Sequence, residues 1–117
     1  MFSYGDYLYI ISNANREVFK SNNLGVNWSV VNSTFANSNL LLGEVDSKGN
    51  LFVVDASENV YSSSDGGVTW TLQGDFNGGA SNNAKGVGIN SSGALFVVDG
   101  GGSVWKSIDS GVSWSEQ

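Results

Sequence analysis

An eight-residue phrase occurs three times along this chain and constrains its fold more than any other feature. The two clearest copies read SSDGGVTW at residues 63–70 and SIDSGVSW at residues 107–114, and a weaker copy, SNNLGVNW, lies at residues 21–28. The tryptophans that end the copies, Trp28, Trp70 and Trp114, lie 42 and 44 residues apart. A fixed period of this size indicates a repeat architecture, because about 40–50 residues make one four-stranded antiparallel unit.

The segments around each copy repeat as well. Upstream of each phrase lie an apolar segment and then a second, aromatic or aliphatic segment that runs directly into it. The near-continuous apolar character of the first segment predicts strands that are buried on both faces. The first segments span residues 8–11, 51–54 and 95–98, and the second ones span residues 18–21, 60–63 and 104–107.

Each unit is therefore predicted to contain four strands joined by hairpins. The strand content is supported by β-branched and aromatic residues, and no helical period of 3.6 residues appears. The fold class predicted is all-β, in one repeat domain whose units span about residues 1–35, 36–76 and 77–117.

The phrase itself is predicted to form the hairpin turn between the third and fourth strands. An Asp side chain accepts hydrogen bonds from turn N–H groups, the glycine two positions later suits a positive φ, and the Trp ring closes the corner. Asn23 replaces Asp in the first copy and keeps an acceptor oxygen, so we expect that turn to persist. The residues of the three turns are Ser21, Asn23, Gly25 and Trp28; Ser63, Asp65, Gly67, Thr69 and Trp70; and Ser107, Asp109, Gly111, Ser113 and Trp114.

These residues resemble the Asp-box, or BNR repeat, of sialidase-like β-propellers. The resemblance covers nearly the whole chain, with two full copies and one partial copy. It implies propeller blades in which the phrase is a structural turn, on the side of the ring opposite the ligand cleft. Since such repeats occur in glycosidases, assembly factors and receptors alike, the resemblance implies a fold and does not select a function.

Composition excludes several classes of site. A net charge of −6 with only five Lys and Arg argues against nucleic acid and against an anionic membrane surface. The absence of Cys and His excludes disulfides, Cys/His metal sites and His-dependent triads, and we predict neither a metal nor a cofactor. The chain begins without a basic segment followed by an apolar one, so no signal peptide is predicted here, although an extracellular or surface-exposed location is favoured.

The resemblance raises the question of catalysis. Sialidases hold the substrate carboxylate with three arginines, whereas Arg16 is the single arginine of this sequence. A glycosidase with two carboxylates is an alternative, built from Asp55 with Glu58, Asp75 or Asp99. We favour a non-catalytic interpretation, in which these acids cap strand ends and line solvated loops.

The loops at the other end of the units are the predicted ligand face. They join the second to the third strand (residues 12–17, 55–59 and 99–103) and the fourth strand to the next unit (residues 35–39 and 75–83). Their Asn, Asp and Ser side chains suit sugar hydroxyls, so a glycan is the predicted ligand. The aromatics Tyr4, Tyr7 and Phe76 are expected to be exposed for stacking on sugar rings, and core packing or an interface explains them equally well. The candidate ligand-face residues are Asn15, Arg16, Asp55, Glu58, Asp75, Asn77 and Asp99.

Three units are too few for a closed ring, since propellers use about 4–8 blades. We therefore expect self-assembly through exposed edges and end faces, with a homodimer that completes a six-bladed ring favoured. Two other interpretations stay open at this point: a fragment of a sialidase-like glycoside hydrolase, and an engineered or evolutionary blade assembly without a cellular ligand.

Overall fold

The computed structural model describes residues 1–32, 35, 39–79 and 83–117, which form three four-stranded antiparallel sheets. The predicted all-β class is confirmed, because no helix occurs within the described residues. It follows that no helix in those ranges is long and apolar enough to cross a membrane.

Each sheet is a simple meander of four consecutive strands. Sheet I contains β1 (Phe2–Tyr4), β2 (Tyr7–Ser12), β3 (Glu17–Ser21) and β4 (Ser29–Asn32). Sheet II contains β5 (Leu40–Val45), β6 (Leu51–Asp55), β7 (Asn59–Ser63) and β8 (Thr71–Asp75). Sheet III contains β9 (Ala84–Ile89), β10 (Leu95–Asp99), β11 (Val104–Ser107) and β12 (Ser115–Glu116).

Short polar turns join the first two strands of sheets II and III. Asp46 Oδ1 accepts from the backbone N–H groups of Lys48 and Asn50, both at 2.9 Å. Gly49 lies between them at a φ of 88°, a conformation that favours glycine. In sheet III, Asn90 Oδ1 accepts from the N–H groups of Ser92 and Ala94 in the same way. A side-chain acceptor at the end of the first strand therefore stabilises both hairpin turns.

The sheets stack side by side, with a separate hydrophobic cluster between each pair. Along β6, Leu51 and Val53 belong to the cluster shared with sheet I, whereas Phe52 and Val54 belong to the cluster shared with sheet III. In sheet II, the face that carries Leu51 and Val53 is called the upstream face, and the face that carries Phe52 and Val54 is called the downstream face. The corresponding faces of sheets I and III take the same names. The boundary between two sheets is called a seam.

A phenylalanine from each connecting segment fills the seam beside a turn tryptophan. Phe35 lies 5.2 Å from Trp70, and Phe76 lies 6.2 Å from Trp114, between ring centroids. Phe76 is fully buried. The expectation that it is exposed for sugar stacking was therefore wrong, because this ring is a seam residue.

Burial on both faces, predicted for three strands, holds for β6 alone. All five β6 residues are buried. In β2 and β10 one face packs in a seam, and the other face has no neighbouring sheet within the described residues. The prediction was wrong for these two strands because burial depends on a second sheet that the end strands do not have.

Candidate functional site

Turn 2 (residues 63–70) shows the hydrogen-bond pattern that the phrase encodes. Ser63 Oγ donates to Asp65 Oδ1 at 2.8 Å and accepts from the N–H of Gly67 at 3.0 Å. Asp65 Oδ1 accepts from the N–H of Thr69 at 2.9 Å, and Trp70 Nε1 donates to the carbonyl of Gly67 at 2.9 Å. One serine and one carboxylate thus accept from the backbone N–H groups of Gly67 and Thr69, which have no strand partner in the turn.

Turn 3 (residues 107–114) repeats this pattern. Ser107 Oγ accepts from Gly111 N–H at 2.9 Å, Asp109 Oδ1 accepts from Ser113 N–H at 2.9 Å, and Trp114 Nε1 donates to Gly111 at 3.0 Å. Gly67 and Gly111 have φ values of 92° and 91°. A glycine is required there because other residues are strained in this region.

Turn 1 (residues 21–28) forms the same bonds with an amide in place of the carboxylate. Ser21 Oγ donates to Asn23 Oδ1 at 3.0 Å and accepts from Gly25 N–H at 2.9 Å. Asn23 Oδ1 accepts from Asn27 N–H at 2.8 Å, and Trp28 Nε1 donates to Gly25 at 3.1 Å. The turn persists with Asn23 because the amide oxygen supplies the same acceptor.

The turns differ in charge. Hydrogen bonds from the Thr69 side chain and N–H and from Ser63 lower the pKa of Asp65 from 3.8 to about 2. The bonds from Ser113 and Ser107 likewise lower the pKa of Asp109 to about 2. Turns 2 and 3 are therefore held by anions at neutral pH, whereas turn 1 has no ionisable acceptor.

The turns also differ in what lies next to them. A Cβ placed on Gly67 would lie 3.2 Å from Val31 of sheet I, and one on Gly111 would lie 3.1 Å from Val60 of sheet II. These two glycines let their turns dock closely on the preceding sheet. A Cβ on Gly25 would meet only Trp28 and Leu8 of its own sheet. Turn 1 thus has the docking glycine without a preceding sheet.

At the opposite end of the sheets, Asp55 and Asp99 cap tight turns. Asp55 Oδ1 accepts from the N–H groups of Ser57 and Asn59, both at 2.9 Å. Asp99 Oδ1 accepts from Ser103 N–H at 3.0 Å, and its Oδ2 accepts from Trp105 Nε1 at 3.0 Å. The Trp105 bond is the main cause that lowers the pKa of Asp99. Both carboxylates are used by the chain's own donors.

The other predicted ligand-face residues occupy varied environments at this end. Glu58 is buried and lies at a φ of 65°. Burial raises its pKa, and the negative charges of Asp75 and Asp55 raise it further. Asp75 is exposed and accepts from the N–H of Asn77, a residue that is itself only 6% exposed.

Sheet I contributes a longer loop to the same end. Asn15 donates its backbone N–H to Ser12 Oγ at 3.4 Å, and Arg16 lies at a φ of 57°. Of the connecting loops in the predicted ligand face, residues 36–38 and 80–82 lie outside the described residues. Among the described residues, no group of three or more His, Cys, Asp or Glu side chains is placed to hold a metal ion.

The open sheet faces and the grooves beside the turns were not anticipated residue by residue. Ser62, Ser64, Thr69 and Thr71 line a groove beside turn 2, and Ser110 of turn 3 completes it. The corresponding groove beside turn 3 is lined by Lys106, Ile108, Ser113, Trp114, Ser115 and Gln117. The signal that could have found them is the repeat itself, because aligned positions differ sharply in polarity: Ile108 stands where turn 2 has Ser64.

Searches of protein families and of curated proteins found no match. Solved structures do match. YCF48 from Cyanidioschyzon merolae aligns with 99% of this chain and 41% of its own, at 16% identity and a TM-score of 0.71. A structure of YCF48 bound to D1 peptide aligns with 97% of this chain and 50% of its own, at 12% identity and a TM-score of 0.62.

The GH74 xyloglucanase from Xanthomonas campestris also matches, over 96% of this chain and 20% of its own, at 18% identity and a TM-score of 0.71. The chain thus spans half or less of the length of each of these proteins. At identities this low the likeness concerns the fold alone. Together with the three stacked four-stranded sheets, it shows that this chain has the fold of a β-propeller segment.

Proposed function

We propose that this chain is a non-catalytic β-propeller scaffold that pairs with a second copy through its two open sheet faces. The observation that carries the proposal is the downstream face of sheet III. Phe96 and Val98 occupy the positions of Phe52 and Val54, which are 4% and 1% exposed in the seam between sheets II and III, yet Val98 is 41% exposed. Apolar side chains that lie together on an uncovered sheet face are typical of an interaction surface.

The upstream face of sheet I is the natural counterpart. It presents Leu8, Ile10 and Phe19, which align with Leu51, Val53 and Tyr61 of the seam between sheets I and II. Two copies joined through both faces would give six blades, within the range of about 4–8 that propeller rings use.

Mass measurement tests this proposal. Sedimentation equilibrium or native mass spectrometry should find a species of twice the 12.3 kDa of one chain at micromolar concentrations. A strict 12.3 kDa monomer at every concentration up to the solubility limit would contradict it.

The loop end is the proposed ligand face, and a glycan is the proposed ligand. Asn15, Ser57 and Asp75 are exposed there and offer donors and acceptors for sugar hydroxyls. The likeness to YCF48, which has been seen with a peptide, supports binding as the activity and leaves the ligand class to the test. A glycan array probed with the purified chain should give a selective signal that Asp75→Ala with Asn15→Ala reduces. Blank arrays with the assembled protein would count against a glycan.

A second candidate function is glycoside hydrolysis, favoured by one observation. Glu58 is buried beside two other carboxyl groups and its pKa is raised, as in a general acid. Turnover of a fluorogenic glycoside that is lost in Glu58→Gln and retained in Glu44→Gln would support it. The bonds from backbone N–H groups to Asp55 and Asp99 favour the non-catalytic role for those two acids.

A further inference from the structure

Leu24, at the tip of turn 1, is an unusual residue for its position. It lies at a φ of 57°, where a non-glycine residue is strained, and it is 82% exposed. The aligned residues are Gly66 in turn 2 and Ser110 in turn 3, both small. Ser110 shares the positive φ, at 61°, so turn 1 is set apart by a large apolar side chain that is exposed where the other turns have small residues.

The two small residues show where that position is directed. Ser110 lies in the groove beside turn 2, next to Ser62 and Ser64 of the preceding sheet. A Cβ on Gly66 would lie 3.3 Å from Lys20 Nζ of sheet I. In both seams, then, the fourth residue of a turn faces the groove beside the turn that precedes it.

The groove beside turn 3 has no such residue facing it within the described part of the chain. It has a volume of about 330 Å³, and Lys106, Ile108 and Trp114 are among its lining residues. Ile108 is 82% exposed. Ser64 and Ser110 line the same groove from the two sides of the seam between sheets II and III, whereas the residues aligned with them at the open faces are Ile108 and Leu24. Both members of the pair change from polar to apolar together.

Across the same open seam, Gly25 of turn 1 is small enough to lie against the side chains that it would face on sheet III. Gly111 packs against Val60 and Gln73 of the preceding sheet, and the aligned residues would be Gly25 facing Val104 and Gln117. Val104 is 37% exposed, and Gly25 has room on that side.

The first strands of the sheets, β1, β5 and β9, are complementary in size across the seams as well. In the seam between sheets I and II the Phe2 ring lies over Gly43. At the open seam the roles are reversed, since Met1, 85% exposed, aligns with Gly43, and Gly88, with open space above it, aligns with Phe2.

We infer that a second copy docks head-to-tail on sheet III, with its Leu24 in the groove formed by Lys106, Ile108 and Trp114. This rests on the proposed self-association and adds its direction: the downstream face of sheet III meets the upstream face of the partner's sheet I. Because each copy has one face of each kind, two such contacts close a ring. In the single chain Lys106 Nζ lies 5.8 Å from the centroid of the Phe96 ring, so this side chain adjoins both the groove and the open face.

Substitution at position 24 separates the contact from the fold. Leu24→Gly introduces the residue that turn 2 has there and relieves the positive φ, so the thermal midpoint of the dilute monomer should not fall. The dimer dissociation constant, measured by sedimentation, should rise about tenfold or more because apolar burial is lost in each contact. The matched control is Val26→Ser in the same turn, whose equivalents Val68 and Val112 stay 58% exposed beside a preceding sheet. This control should leave the dissociation constant within about twofold.

Cross-linking tests the direction, since the chain has no native cysteine. Leu24→Cys mixed with Ile108→Cys should give disulfide-linked pairs of one copy of each, and neither variant alone should cross-link efficiently. If the wild-type chain dimerises and Leu24→Gly dimerises equally well, or if Leu24→Cys alone forms disulfide-linked pairs, the head-to-tail contact is overturned and self-association is not. A wild-type chain that stays monomeric overturns both proposals.

Discussion

Strands β6 and β10 have the same sequence, LFVVD, and different surroundings. In β6 the second and fourth residues, Phe52 and Val54, are buried between two sheets; in β10 the corresponding Val98 is 41% exposed. The same five residues thus differ in burial, because β6 has a sheet on each side whereas β10 has one on its upstream side alone within the described residues. The comparison teaches that the pentapeptide encodes a strand for the interior of a stack, and that β10 presents one such face to solvent.

Turns 1 and 2 make a second comparison of the same kind. Both use a serine, an Asx acceptor, a glycine and a tryptophan in the same bonds. Turn 2 docks on a preceding sheet and is held by an anion, whereas turn 1 has neither feature.

The largest difference is expected between Phe52→Ala and Phe96→Ala. Phe52 fills a closed seam, so its removal should lower the free energy of unfolding by about 3–5 kcal/mol through a cavity. Phe96 is half-buried in the single chain, and its removal should cost about 1–2 kcal/mol in dilute protein. Chemical denaturation of both variants measures the pair. Equal losses at low concentration would contradict the assignment of an open face.

Alanine at the turn glycines should show the docking contact. Gly25→Ala and Gly111→Ala share the strain of a positive φ, worth about 1–2 kcal/mol. Gly111→Ala also crowds Val60, a fully packed residue 3.1 Å away, and should lose about 1 kcal/mol more. Denaturation of the dilute chain should therefore rank Gly111→Ala below Gly25→Ala, and the reverse order would argue against tight docking of turn 3.

Removal of the turn serines should destabilise the fold more at turn 2, where the N–H donor of Gly67 is buried, than at turn 1, where that of Gly25 is half-buried. Ser63→Ala leaves the N–H of buried Gly67 without its acceptor, at a cost of about 1–3 kcal/mol. Ser21→Ala exposes a less buried N–H at Gly25 and should cost less, because water can replace the hydroxyl. Thermal unfolding of the two variants checks the ranking, with Ser29→Ala as a surface control.

The smallest effect is expected from acid. The pKa values of Asp65 and Asp109 fall from 3.8 to about 2 on folding, so their stabilising contribution is present above pH 4 and is lost as the pH falls towards 2. Asp65→Asn with Asp109→Asn copies the acceptor of turn 1 and should flatten this part of the profile. Thermal midpoints between pH 5 and pH 2 measure the change, and an unchanged acid slope in the double variant would exclude the two carboxylates as its source.

The sequence was sufficient to predict the strands, the hairpin turns and the repeat, because these depend on local periodicity and on acceptors within a few residues. Residues 8–11 and 95–98 were misjudged as buried on both faces, since the same apolar pattern serves a strand with one neighbour or two. Phe76 was misjudged because a loop aromatic can insert into a seam.

The candidate site was harder to predict than the fold. That Asp55 and Asp99 would accept backbone N–H groups follows from their place at strand ends, and it was expected. The proposed contact between Leu24 and Ile108 can be inferred only when the seams are known, because the two positions lie in turns far apart in sequence. Asp99 bonds to Trp105 and Asp55 to Tyr61, while the first unit has Ser12 and Phe19 at those positions. A comparison of repeats could have revealed that pairing.

We propose that another copy of the chain completes the open faces of sheets I and III. Thermal unfolding of the wild-type chain over a thousandfold range of concentration tests it most directly. Association stabilises the native state by mass action, so the midpoint should rise steadily with concentration, and Leu24→Gly should weaken that rise. A midpoint that is constant across the range, with a native mass of 12.3 kDa at its upper end, would contradict the claim.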